Sequence, residues 1–312
     1  EFALYQYGND GLTASNNYIK QELDLTSDLD EVSQKLFGLT TNGGSEFCGA
    51  VIGQSLSDLN WSRDATDLKM IYIAGNERFN QGPISYKEEC AKAASKGIFI
   101  NTIYCGDYDQ GVREFWKDGA ECSQGDYFNI DSDKAITHID TPYDEKINSY
   151  NDSINDTYYG YGSLGSSKKA MQTTQDANAA MESVSVKTER SIVKSKGKVY
   201  KNESWDLVDA VDGGKDISEM EDSELPEEFK GKSDEEKKKL IAEKKADRER
   251  YQNEINGLAV ERQNYIDDKR KEMEAEGIEQ DDFGTSVNKS IMEKAKEIGY
   301  KKEVPKEAEE QK

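Results

Sequence analysis

Along the first 140 residues, apolar and polar positions fall into blocks of alternating period. Met70-Ile71-Tyr72-Ile73-Ala74 is an unbroken apolar run between Lys69 and the turn pair Gly75-Asn76. Such a run reads as a strand buried on both faces, and it is placed at the centre of a parallel sheet. Pro83 to Lys96 then carries Ile84, Cys90, Ala91 and Ala94 at helical spacing and stops at Lys96-Gly97, after which Ile98 to Tyr104 forms a second apolar run. A strand–helix–strand unit of this kind is parallel and right-handed, so both strands end on one sheet edge. That puts Asn76 and Glu77 beside Cys105 and Asp107, where ligands of open α/β sheets bind.

The flanking segments extend the pattern. Phe2 to Tyr7 reads as a short strand ending at Gly8-Asn9-Asp10-Gly11, with Tyr18 to Leu25 as an antiparallel partner. Thr26-Ser27-Asp28 offers caps for a helix whose apolar face is Leu29, Val32, Leu36 and Phe37. The loop Thr40 to Glu46 leads into a helix with Ala50, Val51, Leu56 and Leu59. A helix from Gln110 to Ala120 and a strand from Asp126 to Ile130 follow, and the region closes near Ile139 after Ala135-Ile136-Thr137-His138. The expected fold class is α/β, a Rossmann-like, mostly parallel sheet with flanking helices, followed by a mostly helical tail.

In the tail, residues 140–230 read as a helical region packing on the α/β domain of residues 1–139. It contains a helix from Pro142 through Ile154, a docking stretch Tyr158 to Ser163, a long weakly apolar helix from Lys168 to Lys196, and a short helix from Ser204 to Val211. Residues 231–300 hold a charged helix, Asp234 to Glu276, whose Leu240, Tyr251, Ile255, Leu258, Tyr265 and Ile266 make one seam for another helix, as a hairpin arm or a coiled-coil partner. A last amphipathic helix spans Val287 to Ile298, and residues 301–312 read as a disordered tail.

Charge narrows the partners. The chain has 41 Lys+Arg against 63 Asp+Glu, a net charge of −22, which repels nucleic acid and anionic lipid. Lys237-Lys238-Lys239 and Lys244-Lys245 alternate with acidic residues and read as a solvated helix face. No apolar run approaches the ~20 residues of a membrane span. Cys48, Cys90, Cys105 and Cys122 lack CxxC spacing, so they read as four reduced thiols or as one of three pairings. Of the pairings Cys90 with Cys105 is favoured, because the first half of the crossover helix and the end of the next strand lie near one sheet edge.

The segments Glu22 to Asp30, Thr41 to Glu46, Met70 to Glu77 and Gly97 to Gly106, in this order and spacing, resemble the second half of a von Willebrand factor type A domain over residues 1–139. The tail resembles that of bacterial cell-envelope proteins containing this domain. The resemblance implies that the first strand and helix of the domain lie upstream of Glu1. It also implies a metal-ion-dependent adhesion site in which Ser45 or Thr41 supplies the hydroxyl ligand and Asn76 stands where the family has Asp. A neutral amide in place of a carboxylate weakens Mg²⁺ binding, so the site is expected to be degenerate or absent, with no cofactor in this chain and Mg²⁺ conceivable only in the intact protein. A cell-envelope or periplasmic location follows from the same likeness, and a Cys90–Cys105 bridge suits such an oxidising compartment.

Catalytic signals are weak. His138 has no assignable nucleophile, Asp206 and Asp209 read as a solvated helix face rather than an acid/base pair, and Gly160-x-Gly162-x-x-Gly165 lacks a preceding strand. The chain is therefore expected not to be an enzyme but a protein-binding module of the adhesion type, meeting its partner through Thr41, Ser45, Glu46, Asn76, Glu77, Arg78 and Asp107. The alternative is a structural or oligomerising protein, self-associating through its helical tail, with the α/β domain as a metal-free scaffold.

Overall fold

The computed structural model describes residues 1–131, 138–277 and 283–301. The chain runs β1 (Phe2–Tyr7), β2 (Ile19–Thr26), α1 (Leu29–Phe37), α2 (Cys48–Asp58), β3 (Lys69–Gly75), α3 (Tyr86–Ser95), β4 (Ile98–Cys105), α4 (Tyr108–Arg113), α5 (Trp116–Glu121) and β5 (Tyr127–Ile130). It continues as α6 (Asp144–Asn155), α7 (Gly165–Glu182), α8 (Val184–Lys194), α9 (Leu207–Asp212), α10 (Asp234–Ala275) and α11 (Phe283–Glu297). The strand reading around Ile136 and the tail from 302 onward lie outside the described residues.

The result is a mixed α/β fold with a three-stranded parallel sheet, flanking helices and one long helix. Among the described residues the sheet order is β3-β4-β5, so the expected central strand lies at an edge and β4 at the centre. β1 and β2 pair only with each other among the described residues, and Tyr72 on one face of β3 is 39% exposed. The expected single helix over 110–120 is two, because Phe115 adopts φ 70° between them, and the one over 168–196 breaks at an extended Ser183.

Contacts divide the chain into two units. One comprises Glu1–Ala3, Leu25–Leu39 and Thr137–Gln280, the other Leu4–Asp24, Thr40–Ile136 and Asp281–Lys312. The sequence-derived division at 139 is thus crossed twice, since α1 belongs to the helical unit and α11 to the α/β unit.

In the α/β unit, Ile98, Ile100 and Tyr104 of β4 share one buried cluster with Ile73 of β3 and with side chains of α2, α3 and α5. Cys90 of α3 is bonded to Cys122 at the end of α5, with Cα atoms 5.8 Å apart, while Cys48 and Cys105 are free. The favoured Cys90–Cys105 pairing therefore does not form. Side chains alternate along a strand, so Cys105 turns to the sheet face opposite Ile98, Ile100 and Tyr104, away from α3.

In the helical unit the expected faces are inverted by charge. α1 docks its polar side: Asp30 accepts from Arg190 and from the Tyr200 hydroxyl, whereas Leu36 and Phe37 stay exposed. Arg190 and Lys194 also bind Asp176, at 2.7 and 2.8 Å. Along α10, Ile241, Arg248, Ile255 and Arg262 are all buried and follow one another at seven-residue intervals. Arg248 donates to Asp206 and Asp209 at 2.8 and 2.7 Å and to Thr157, and stacks 3.8 Å above the Tyr158 ring. Arg262 meets Asp144, Glu189 and Ser185, and Lys237 meets Asp222. Asp206 and Asp209 are therefore neither a solvated face nor an acid/base pair but the buried counter-charge of Arg248, with Asp206 also capping α9. The α10 seam that could have received a second chain packs on α6, α8 and α9 of its own.

Removing one partner strands a buried charge, so Arg248→Met is expected to lower stability by about 3–5 kcal/mol in urea denaturation. Burial opposes ionisation of Asp176, yet Lys194 and Arg190 pull its carboxyl down to about 2. A depressed carboxyl contributes stability above its unfolded pKa and loses it as pH falls. The wild type should therefore lose stability relative to Asp176→Asn between about pH 4 and pH 2, measured by thermal melts.

Candidate functional site

The carboxyl ends of β3 and β4 gather three loops, residues 40–47, 76–85 and 105–107. Their arrangement depends on Glu46. Its carboxylate accepts the backbone N–H groups of Asn76 and Glu77 at 3.1 and 3.2 Å, crossing from the first loop to the end of β3. Gly75 makes room for it, since a Cβ there would lie 2.2 Å from the Glu46 Oε2, and at Gly8 a Cβ would lie 2.8 Å from the Glu46 Cγ. Burial pushes the Glu46 carboxyl above its ordinary value against the two N–H donors, and the neighbouring Glu77 carboxylate adds to the rise.

The other expected residues are held from below. Glu77 is half-buried, its carbonyl accepting from the indole N–H of the fully buried Trp116 at 2.7 Å and its carboxylate from Gln81. The Arg78 Nε lies 3.0 Å from Glu114, with the guanidinium over the Phe115 ring. Asp107 caps α4 by accepting from Gln110 N–H. Asn76 and Thr41 are exposed and Ser45 is half-buried. Among the described residues the hydroxyls of Thr41 and Ser45 do not meet Asn76 or Asp107.

The sequence places the loop Cys105 to Tyr108 on this edge without singling out the Tyr108 side chain, and it misses a group beneath the edge. Tyr108 projects 46% exposed from the start of α4, its ring 5.0 Å from that of Tyr127, whose hydroxyl donates to the Tyr108 carbonyl. Its place directly after Asp107 was the available signal. Beneath the edge, the Tyr7 hydroxyl donates to the Ala74 carbonyl at 2.8 Å and lies 3.8 Å from the Cys48 Sγ. Burial raises both the Tyr7 hydroxyl and the Cys48 thiol well above their usual range and lifts the Cys105 thiol as well, so none of these is an activated nucleophile near neutral pH.

The donors here do not suit Mg²⁺. Ser45 and Asn76 offer neutral oxygens, Glu46 is committed to backbone donors, and no group of three His, Cys, Asp or Glu is placed to hold a metal among the described residues. What the edge offers instead is a set of rigidly backed polar and aromatic side chains.

A carboxyl raised by folding is most favourable to stability below its unfolded pKa and costs stability as pH rises through its folded value. Glu46→Gln, which keeps an acceptor for the two N–H groups, should therefore gain stability over the wild type as pH rises from 4.5 to 7 in urea titrations. Glu46→Ala, which orphans both donors, should lose about 1–3 kcal/mol. Comparison with protein-family models, with characterised proteins and with solved structures returns no match to this chain.

Proposed function

We propose that this protein is a non-enzymatic binding module whose α/β unit, of von Willebrand A type, meets a protein partner through the loops at the carboxyl edge of its sheet. The observation that carries this reading is the pair Arg78 and Tyr108, both exposed and each set against neighbouring side chains, Arg78 against Glu114 and Phe115 and Tyr108 against Tyr127. Arg and Tyr dominate the energetics of protein interfaces, and a side chain immobilised before binding loses little entropy on contact. Thr41, Asn76 and Asp107 supply a polar rim, and recognition proceeds without a metal. The Cys90–Cys122 disulfide supports placement in an oxidising compartment such as the cell envelope.

A second reading puts the contact on the helical unit, where Met181 is 84% and Val184 52% exposed at the turn between α7 and α8. Cross-linking from the intact native host, followed by binding assays with the captured protein, separates the two. Tyr108→Ala and Arg78→Ala should each weaken binding by about 2 kcal/mol, roughly thirtyfold in Kd, with Met181→Ser and Val184→Ser neutral. The reverse pattern would transfer the function to the helical unit.

A further inference from the structure

The interior of the helical unit holds an amine, a carboxamide and a carboxylate in mutual contact. Lys194, the last residue of α8, is 1% exposed, and its ammonium meets two side chains. The Oδ1 of Asn155, the last residue of α6, lies 2.6 Å from Nζ, and the two carboxylate oxygens of Asp176 on α7 lie at 3.0 and 2.8 Å. Asp176 alone would answer the lysine's charge. It also holds the amide in place, since the Asn155 Nδ2 donates to Asp176 Oδ2 at 2.7 Å and so leaves Oδ1 facing the amine. Asn151, one turn earlier, donates its Nδ2 to the same oxygen at 2.9 Å, yet its Oδ1 is buried without a partner among the described residues, so the amine addresses Asn155.

These are the parts of an intramolecular amide exchange. The Asn155 carbonyl carbon lies one bond of about 1.2 Å beyond Oδ1, hence no more than about 3.8 Å from Nζ, near the separation at which held reactants attack. Burial lowers the Lys194 ammonium to about 8 against the pull of Asp176, with Arg190 adding to the fall and Asp30 opposing it. The nucleophilic free amine is therefore populated close to neutral pH. Burial opposes ionisation of Asp176, yet Lys194 and Arg190 keep it a carboxylate able to take a proton. Its oxygens touch both the nitrogen that must lose a proton and the nitrogen that must gain one. Asn155 is half-buried, which gives a small product a way out.

We propose that Lys194 and Asn155 join in an isopeptide bond after folding, with Asp176 as the proton carrier. The bond that forms is Nζ–Cγ and the bond that breaks is Cγ–Nδ2. Asp176 takes a proton from the attacking Nζ and passes it to the departing Nδ2, which leaves as ammonia, and nothing is oxidised or reduced. Asp176 keeps Arg190 as its counter-charge, at 2.7 Å. The product ties the ends of α6 and α8 together across a separation of 39 residues that contains α7. Such a link restricts the unfolded chain as a disulfide does.

The test is peptide mapping by mass spectrometry of the full chain, folded and held at pH 8. After reduction of the Cys90–Cys122 disulfide, the intact chain should weigh less than its sequence by one ammonia. Trypsin should no longer cleave after Lys194, and the fragments holding Asn155 and Lys194 should be recovered as one branched peptide. Lys194→Arg, which keeps the cation, and Asp176→Asn, each verified as folded by circular dichroism, should both show the full mass. The wild-type map decides by itself if either variant fails to fold. Recovery of residues 155 and 194 only in separate peptides from the folded wild type would overturn the proposal, as would a link to Asn151 or one that forms undiminished in Asp176→Asn.

Discussion

A guanidinium taken out of water must be given acceptors for its donors, and this requirement organises the helical unit more than its apolar contacts do. With 33% of its residues charged, the chain has little apolar surface to spend on a long helix, and the only apolar side chains α10 fully buries are Ile241, Ile255 and Ile266. Between them sit Arg248 and Arg262, whose partners come from segments far away in sequence, Asp206, Asp209 and Thr157 for one and Asp144, Glu189 and Ser185 for the other. A shift of α10 by one turn would strand both arginines and several carboxylates together. Apolar residues tolerate such slippage, whereas paired charges in a low-dielectric interior do not, so the ion pairs set the register and the isoleucines supply the adhesion. The same rule docks α1 by Asp30 and leaves Leu36 and Phe37 outside, while Leu29 packs against the buried cluster.

The α/β unit is stabilised differently. Its core is aromatic, with Phe79, Tyr86, Tyr104 and Trp116 meeting edge to face or tilted, and that packing reaches the loop edge through two polar contacts. The Trp116 indole binds the Glu77 carbonyl from below, and Glu46 binds the Asn76 and Glu77 amides from the side. The backbone of the loop after β3 is thereby satisfied internally, which frees the outward side chains for contact with another molecule. The same two hydrogen bonds commit the Glu46 carboxylate to the backbone of this loop.

The elements themselves were legible from periodicity. β1, β3, β4, α1, α2 and α3 begin and end close to where apolar spacing and turn residues place them, because those signals are local. The edge holding Asn76, Glu77 and Asp107 was legible too, since a parallel crossover fixes which strand ends lie together. The rest of the site was not. Tyr108 gains its place from its tilted ring contact with Tyr127, nineteen residues on, and Glu46 gains its role from two glycines with no mark of their own in the sequence.

By itself the sequence determined the α/β class of the first region, the helical character of the second and the strand ends that form the loop edge. Tertiary structure alone decided that β4 rather than β3 is central among the described strands, that Cys90 pairs with Cys122, that α1 belongs to the helical unit and α11 to the α/β unit, and that Arg248 and Arg262 are interior. The physical reason is the range of the interactions. Hydrogen-bonded periodicity and capping act over a few residues, whereas strand order, disulfide partners and the burial of charge depend on groups brought together from tens or hundreds of positions apart, for which a one-dimensional pattern carries no sign.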